Sequence, residues 1–178
     1  MQPLKRFVAL DKASHDRSTF DCGKDSLNTF IQRNATQGMK SKLNFTWVIP
    51  AAGIPKGQKK PICAYFTLSV CHIERYNLPD DTAKRYPNYP LPVFILAQLA
   101  VDKNCQAQKL GTATLINALR RCAKLSQGGK VAGIGVILDV LDEDALAFYE
   151  RFSGFQPLKS ERDSAIRLFI PMKQLMDL

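Results

Sequence analysis

The sequence predicts an α/β fold in which helices cover the faces of one mixed β-sheet. Segments with the two-residue period of strands alternate with segments of helical period, in the order β-α-β-β and then β-α-β-α-β-β. The chain has 178 residues, 46% of them hydrophobic, which is enough to build one core without disulfides or metals. We therefore expect residues 1–178 to form a single domain.

The first four elements follow from apolar periodicity and from turn residues. Strands are predicted at Leu4–Leu10, Asn44–Pro50 and Ile62–Cys71. Between the first and second of these, a helix capped by Asp25 or Ser26 is predicted to run to about Met39. One face of the helix would carry Leu27, Phe30, Ile31, Asn34 and Ala35. A loop rich in Gly, Pro and Lys, residues 53–61, joins the two strands as a hairpin.

A Pro-rich stretch, Tyr76–Pro92, separates these elements from the rest of the chain. A loop of this length in a compact domain is often a lid or a binding surface. The elements beyond it are strands at Val93–Val101, Gly133–Val140, Phe155–Pro157 and Ala165–Pro171, and helices at Thr112–Leu125 and from Asp142 to Phe152. The nearly continuous apolar run of the first of these strands predicts burial on both faces.

The charge and the cysteines restrict the partner and the compartment. A net charge of +9 favours encounter with a phosphorylated partner, but it does not distinguish a small cofactor from a nucleic acid. No apolar segment is long enough to span a membrane, and the N-terminus has no export signal. The five cysteines are scattered and odd in number, as expected for thiols. We therefore expect a cytosolic protein.

The segment from Leu99 to Ala113 joins a predicted buried strand to a helix through a short turn. Backbone N–H groups in such a turn have no partner within the helix, and with the helix dipole they suit an anion such as pyrophosphate. Gly111 lets a phosphate approach closely, and Thr112 offers a hydroxyl donor. Any strand-to-helix connection shares these properties, so a purely structural turn is the alternative.

This segment resembles the coenzyme A signature of the GNAT acetyltransferase superfamily, Gln/Arg-x-x-Gly-x-Gly/Ala. Aligned from Gln106, the pattern falls on Gln106, Lys109 and Gly111. Lys109 and Ala107 depart from it, because the family usually has glycine there. A lysine would crowd the pyrophosphate if its backbone takes positive φ, or its ammonium could reach the phosphates.

The resemblance implies a mostly antiparallel sheet of six to seven strands, splayed where acetyl-CoA enters. In the family the free edge of the strand pairs with pantetheine, and the turn amides hold the pyrophosphate. The implied acetyl-CoA-binding residues are Leu99, Ala100, Val101, Gln106, Ala107, Gln108, Lys109, Leu110, Gly111, Thr112, Ala113 and Asp142. An alignment shifted by two residues, beginning at Gln108, also fits. No metal is expected, because no Cys-x-x-Cys or His-x-x-x-His pair occurs.

A second segment, Asp142–Phe155, resembles the Asn-x-x-Ala-x-x-Phe-Tyr-x-x-x-Gly-Phe element of the same family. Ser153 is one inserted residue, and Asp142 replaces the commoner asparagine. By residue type alone, Tyr149 would be a core aromatic. The resemblance implies that its hydroxyl protonates the departing coenzyme A thiolate, which a phenol with an ordinary pKa of about 10 can do at neutral pH.

The opening Phe20–Ile31 resembles that of one GNAT subgroup, Phe-Asp-Cys-Gly-x-x-x-Leu-Asn-x-Phe/Trp-Leu, and 64–68 resembles its Gly-Tyr-Tyr-x-Leu strand. These are toxins of bacterial toxin–antitoxin pairs that acetylate the amino group of aminoacyl-tRNA and block translation. The resemblance implies a charged tRNA substrate, a ribbon-helix-helix antitoxin, operator DNA bound only through that antitoxin, and a possible homodimer. Candidate tRNA-binding residues are Lys40, Lys42, Lys56, Lys59, Lys60 and Arg85.

Two other functions are compatible with the same residues. The chain could be a GNAT enzyme for a small amine or a protein N-terminus. Alternatively, the lysine at the usual glycine position could indicate a non-catalytic module that binds coenzyme A or RNA. In that case Tyr149→Phe would change nothing measurable.

Overall fold

The computed structural model describes residues 1–159 and 166–176, and its backbone divides into two compact units. The first comprises Met1–Ser69 and Ala97–Ala118, and the second comprises Val70–Leu96 and Leu119–Leu178. That residues 1–178 act as one domain stays a prediction. Within the described residues, no helix combines the length and the apolar character needed to cross a membrane.

The first unit contains a sheet with the strand order β1-β3-β4-β5. Its strands are β1 (Val8–Ala9), β2 (His15–Asp16), β3 (Phe45–Pro50), β4 (Lys60–Ile73) and β5 (Leu91–Val101), of which the last two continue into the second unit. β3 is antiparallel to both β1 and β4, and β2 pairs in parallel with the start of β4. The predicted strand over residues 4–10 is reduced to β1, and outside it Leu4 and Leu10 donate single backbone hydrogen bonds to the Pro50 and Thr46 carbonyls, at 2.8 and 2.9 Å. An isolated bridge joins Pro3 to Ala51.

The helical segment of the first unit contains a π-helical turn. α1 (Asp25–Thr29) leads through that turn (Phe30–Asn34) into α2 (Ala35–Lys40). The wider turn rotates the side chains that follow it, so Ile31 and Ala35 are buried whereas Asn34 is exposed. The predicted cap is wrong as well. Lys24 occupies the N-cap position, and no side chain bonds to the helix end there.

The remaining elements, with α4 shared by both units, are α3 (Asp80–Ala83), α4 (Leu110–Gln127), β6 (Gly135–Asp139), α5 (Glu143–Glu150), β7 (Gln156–Pro157), β8 (Arg167–Pro171) and α6 (Met172–Leu175). In the second unit the strand order is β4-β5-β6-β8-β7. β6 is parallel to β5 and antiparallel to β8. The predicted mixed, mostly antiparallel sheet flanked by helices is therefore confirmed.

Several boundaries in this part differ from the prediction. The Pro-rich stretch is not a plain loop, since it contains a 3₁₀ turn at Arg75–Asn77 and α3. α4 begins two residues early, at Leu110, and α5 ends two residues early because the Phe152 N–H turns back to the Tyr149 carbonyl at 3.0 Å. Ala165, where the last strand was predicted to begin, lies outside the described residues.

Buried aromatic and aliphatic side chains form the core of each unit. In the first unit Phe20, Ile31 and Tyr65 pack together, and the Tyr65 hydroxyl donates to the Leu27 carbonyl at 2.8 Å. A neighbouring cluster in that unit places Cys105 and Leu110 beneath the start of α4. The core of the second unit contains Ile73, Leu78, Leu91, Val93, Ile137, Leu158 and Phe169.

His15 in β2 is a buried histidine whose protonation would oppose folding. Its side chain is 6% exposed, and its Nδ1 accepts a hydrogen bond from the Asp11 N–H at 3.0 Å. Burial is the main cause that lowers the pKa of His15 from its ordinary value of 6.5. The unfolded chain therefore binds more protons at this site than the folded chain does, and the stabilisation from neutral His15 is lost at acidic pH.

We expect His15 to make the fold less stable as the pH falls below about 6.5. The variant His15→Asn keeps an acceptor near the position of Nδ1 but cannot titrate. Between about pH 7.5 and about pH 5.5, the wild type should lose more unfolding free energy than this variant in urea denaturation. Equal losses in the two proteins would show that other groups cause the acid sensitivity.

Candidate functional site

The C-terminal half of β5 presents a backbone edge that β6 does not pair with. The register joins β5 to β6 at Phe94↔Val136 and Ile95↔Ile137, and among the described residues β6 pairs with none of residues 96–101. Ala97 is exposed, and Leu99 and Val101 are only half-buried. The prediction that this strand is buried on both faces is therefore wrong for its last residues. The unpaired backbone N–H and C=O groups of this edge can form hydrogen bonds with an extended ligand that carries amides.

The turn after β5 has an unusual backbone. A 3₁₀ turn, Lys103–Cys105, leads into residues 106–109, and there Ala107 and Lys109 have φ of +63° and +57°. Residues with a Cβ rarely adopt this conformation, which costs energy. Alternating backbone handedness of this kind directs successive N–H groups toward one side and forms a concave anion site.

The first N–H groups of α4 are unused within the described residues. The Ala113 N–H closes the first helical turn onto the Lys109 carbonyl at 3.1 Å, whereas those of Leu110, Gly111 and Thr112 take part in no hydrogen bond. A helix N-terminus with three unpaired donors carries partial positive charge. The predicted strand, turn and helix with unpaired N–H groups are thus present, and the binding of an anion such as the acetyl-CoA pyrophosphate stays a prediction.

Two side chains of the turn have different surroundings. The Gln106 Nε2 group donates both of its hydrogens to backbone carbonyls, to that of Val101 at 3.0 Å and to that of Cys22 at 3.3 Å. Lys109 is exposed and forms no ion pair with any described residue. Gln106 therefore holds the turn, while the Lys109 ammonium is available to a phosphate.

Tyr149 lies on α5 of the second unit. Asp142 caps this helix as predicted, accepting the Ala145 N–H at 2.9 Å. The Tyr149 side chain is 8% exposed and packs edge-on against Phe148 and Phe155, at ring distances of 5.1 and 5.9 Å. Burial raises its pKa to about 12, so the phenol remains protonated at physiological pH. Its hydroxyl has no hydrogen-bond partner among the described residues.

The candidate tRNA-binding cations differ in exposure. Lys40, Lys42, Lys56 and Lys59 are exposed in the first unit, Arg85 is exposed in the second, and none forms an ion pair with a described residue. Lys60 is half-buried within β4, where its N–H bonds the Ser14 carbonyl at 2.9 Å. Their role in binding tRNA stays a prediction, and the surroundings of Lys60 make it the weakest candidate.

A buried network beside the turn was not predicted. Asp102, which is 1% exposed, accepts hydrogen bonds from the Asp21 N–H and from Asn104. Lys103 forms an ion pair with Asp21 at 2.9 Å and is the main cause that lowers the pKa of Asp21 to about 2. The sequence signal was the Asp-Cys-Gly turn itself, but its partners lie 81 residues away and no local pattern reveals them.

Comparisons with known proteins agree with this geometry. No protein-family model matches the chain. A "tRNA-acetylating toxin" of Mycobacterium tuberculosis (strain ATCC 25618 / H37Rv) is 23% identical over 137 residues, which is 77% of this chain and 76% of the relative.

Solved structures are similar over nearly the whole chain. A tyrosine-to-phenylalanine mutant of KacT has a TM-score of 0.85 and 27% identity, covering 99% of both chains. AtaT complexed with acetyl-methionyl-tRNAfMet has a TM-score of 0.82 and 26% identity over 96% of both. AtaTR bound with AcCoA has a TM-score of 0.78 and 27% identity, covering 96% of this chain and 95% of that one. A KacTA–DNA complex has a TM-score of 0.75 and 26% identity, covering 97% of both chains.

The fold resembles the GNAT type, and the similarity to toxin structures that bind acetyl-CoA defines the class of protein as an acetyl-CoA-dependent acetyltransferase. Within that class, the comparisons confirm the resemblance to toxins that acetylate tRNA.

Proposed function

We propose that the protein is a toxin that transfers the acetyl group of acetyl-CoA to the amino group of aminoacyl-tRNA and thereby inhibits translation. The observation that carries this proposal is the similarity, over 96% of both chains, to AtaT in complex with acetyl-methionyl-tRNAfMet. The anion-binding turn at the start of α4 supports it, because the donor of the acetyl group carries a pyrophosphate.

The residues around the turn fit acetyl-CoA in charge and in hydrogen-bonding capacity. The unused N–H groups of Leu110, Gly111 and Thr112 can donate to the pyrophosphate, and the Lys109 ammonium can pair with it. The free edge of β5 at Leu99–Val101 can hydrogen-bond the pantetheine amides. When bound, acetyl-CoA supplies an activated acetyl group as a thioester. Asp142 is occupied as a helix cap, so its contribution would be to position α5.

Tyr149 is our candidate for the catalytic acid. The amino nitrogen of the substrate forms a bond to the acetyl carbon, the bond from that carbon to sulfur breaks, and the phenol proton passes to the leaving sulfur. The amine releases a proton to solvent, and solvent returns a proton to the Tyr149 phenolate, so the enzyme is regenerated. An α-amine has a reference pKa near 7.7 to 8.0, so a useful fraction is neutral at pH 7 without a strong general base. Neither His15 nor His72 is therefore assigned a role in the reaction.

The partners of this activity follow from the same resemblance. Exposed cations on the hairpin and at the end of α2 would hold tRNA phosphates. A ribbon-helix-helix antitoxin would neutralise the toxin and contact operator DNA, as the existence of a KacTA–DNA complex suggests for a similar protein. A homodimer and a cytoplasmic site of action belong to the same proposal.

Lys109 separates two interpretations of the turn. If its ammonium pairs with the pyrophosphate, both Lys109→Ala and Lys109→Gly should weaken acetyl-CoA binding by about fivefold to tenfold. Only the glycine variant relieves the positive φ, so it alone should gain about 1 kcal/mol in unfolding free energy. Calorimetric titration with acetyl-CoA and urea denaturation measure the two quantities. Tighter binding by Lys109→Gly than by the wild type would instead show that the lysine crowds the pyrophosphate.

The proposed function is tested with labelled acetyl-CoA and a bulk pool of charged tRNA. We expect label in the tRNA fraction, released together with the acetylated amino acid when the ester is hydrolysed. Uncharged tRNA is the matched control and should take up no label. Label on polyamines or peptides but not on tRNA would favour a small-amine enzyme. No transfer by protein that binds acetyl-CoA, with Tyr149→Phe indistinguishable from wild type, would favour a non-catalytic module.

A further inference from the structure

Two segments far apart in sequence are joined by hydrogen bonds beside residues 106–109, which we call the acetyl-CoA turn. The Asp21–Gly23 turn precedes α1, and the Asp102–Gln106 segment follows β5. Four hydrogen bonds connect them: Asp21 N–H to Asp102 Oδ2 at 3.0 Å, Lys103 N–H to the Asp21 carbonyl at 2.8 Å, Lys103 Nζ to Asp21 Oδ2 at 2.9 Å, and Gln106 Nε2 to the Cys22 carbonyl at 3.3 Å. We call these two segments the clamp.

Asp102 is the buried hub of the clamp. Its Oδ1 accepts hydrogen bonds from the backbone N–H and the side-chain amide of Asn104, both at 2.9 Å. Its Oδ2 accepts a hydrogen bond from the Asp21 N–H. Its own N–H donates to the Cys63 carbonyl of β4 at 2.9 Å. A carboxylate that is 1% exposed is costly unless its oxygens are hydrogen-bonded, so this arrangement is strongly specified.

Asn28 holds the other half of the clamp from α1. Its Oδ1 accepts the Cys22 N–H at 2.9 Å, and its Nδ2 donates to Asp21 Oδ1 at 2.8 Å. The same Asp21 oxygen accepts the Gly23 N–H at 2.9 Å. Gly23 has φ of +87°, and a Cβ there would lie 3.2 Å from the Lys103 side chain, so glycine also gives this lysine room.

We propose that Asp21, Asn28 and Asp102 are positioning residues that preorganise the acetyl-CoA turn, an inference that rests on the proposed function. Residues 107 and 109 hold positive φ without being glycine, so the turn needs an external constraint to keep its binding shape. The clamp supplies that constraint at the start of the turn through Lys103 and Gln106. A ligand that binds a preorganised turn loses less free energy in ordering it.

The test uses Asn28→Ala, because Asn28 lies on α1 and bonds only the Asp21–Gly23 side of the clamp. We expect the dissociation constant for acetyl-CoA, measured by calorimetric titration, to rise about tenfold. The KM for acetyl-CoA should rise with it while kcat stays within about twofold, because the reacting atoms are untouched. Amide hydrogen exchange should accelerate in residues 103–112 of the free protein.

Two controls distinguish positioning from general loss of stability. Thr67→Val breaks the buried Thr46–Thr67 hydroxyl contact of 2.8 Å, away from the clamp, and should leave acetyl-CoA binding unchanged. Gln106→Ala should weaken binding, and combining it with Asn28→Ala should add little, because both act through the Cys22 backbone.

The outcomes separate the clamp from the proposed function. Weaker binding by Asn28→Ala but not by Thr67→Val supports the clamp. Wild-type protein that binds acetyl-CoA, with Asn28→Ala binding equally well, overturns the clamp and leaves the proposed function intact. Wild-type protein that does not bind acetyl-CoA overturns both. Equal weakening by Asn28→Ala and Thr67→Val would show a general stability effect and also overturn the clamp.

Discussion

The Tyr149→Phe variant is expected to transfer acetyl groups at least about 10²-fold more slowly than the wild type, because the departing thiolate loses its proton donor. The substitution removes only the hydroxyl, and the ring keeps its edge-on contacts with Phe148 and Phe155. Since that hydroxyl has no partner among the described residues, its loss breaks no hydrogen bond to any of them. The unfolding free energy should stay unchanged or rise slightly.

Single-turnover kinetics with charged tRNA and acetyl-CoA measure this effect directly. The loss should fall on kcat, while the dissociation constant for acetyl-CoA stays within about threefold of the wild-type value. Between about pH 6 and pH 9 the wild-type rate should show no decline from ionisation of Tyr149, since burial raises the pKa of this residue to about 12. The phenol therefore stays protonated throughout this range, and titration of the substrate amine shapes the profile.

Tyr65→Phe is the matched control, because Tyr65 is also a buried tyrosine. Its hydroxyl donates to the Leu27 carbonyl at 2.8 Å, so its removal should cost about 1 kcal/mol of unfolding free energy. The rate of acetyl transfer by this variant should nevertheless remain within about threefold of the wild type. If Tyr149→Phe lowers the rate of acetyl transfer no more than Tyr65→Phe does, Tyr149 is a core aromatic and not the catalytic acid.

The elements that the sequence predicted well are those whose determinants are local. In α4, the helical spacing predicts an inner face of Leu115, Ile116, Leu119 and Cys122; all are buried except Ile116, which is half-buried. The cap at Asp142 was correct because the carboxylate bonds a backbone N–H only three residues away. The turn between β5 and α4 followed from the order of strand, turn and helix, and its binding of acetyl-CoA stays a prediction that rests on resemblance to a family.

The parts that the sequence did not predict depend on distant contacts. The π-helical turn at 30–34 leaves Asn34 exposed, and no periodic pattern distinguishes it from a regular helix. In β3 the alternation of Phe45, Trp47 and Ile49 predicted a strand, yet Phe45 is exposed and Trp47 is half-buried, whereas Thr46 and Val48 on the opposite face are fully buried. Alternation fixes the period but does not say which face is covered.

The candidate site shows the same division between local and distant contacts. Lys109 was identified as a departure from glycine, and the structure gives it the positive φ on which the crowding argument depended. The clamp between the Asp21–Gly23 turn and Asp102 could not be derived, because side-chain to backbone bonds across about eighty residues leave no periodic trace.

The affinity for tRNA is expected to fall about 10² to 10³-fold between about 50 mM and 200 mM salt. Each lysine or arginine that neutralises a phosphate releases counterions, and the slope of the logarithm of the binding constant against the logarithm of the salt concentration counts these contacts. Five of the six candidate cations are exposed and form no ion pair with a described residue. Their charges are therefore available to an external phosphate.

The double variant Lys56→Gln and Lys59→Gln tests the hairpin loop and should reduce the magnitude of that slope by about 1.5 to 2. Lys84→Gln is the matched control, because Lys84 is an exposed lysine that already pairs with Asp81 at 3.1 Å, and its removal should leave the slope unchanged. Filter binding or fluorescence anisotropy with charged tRNA at four or more salt concentrations measures both slopes. If the wild-type affinity hardly changes with salt, phosphate contacts do not hold the tRNA. Recognition would then have to come from the terminal aminoacyl group, which carries no phosphate and binds without counterion release.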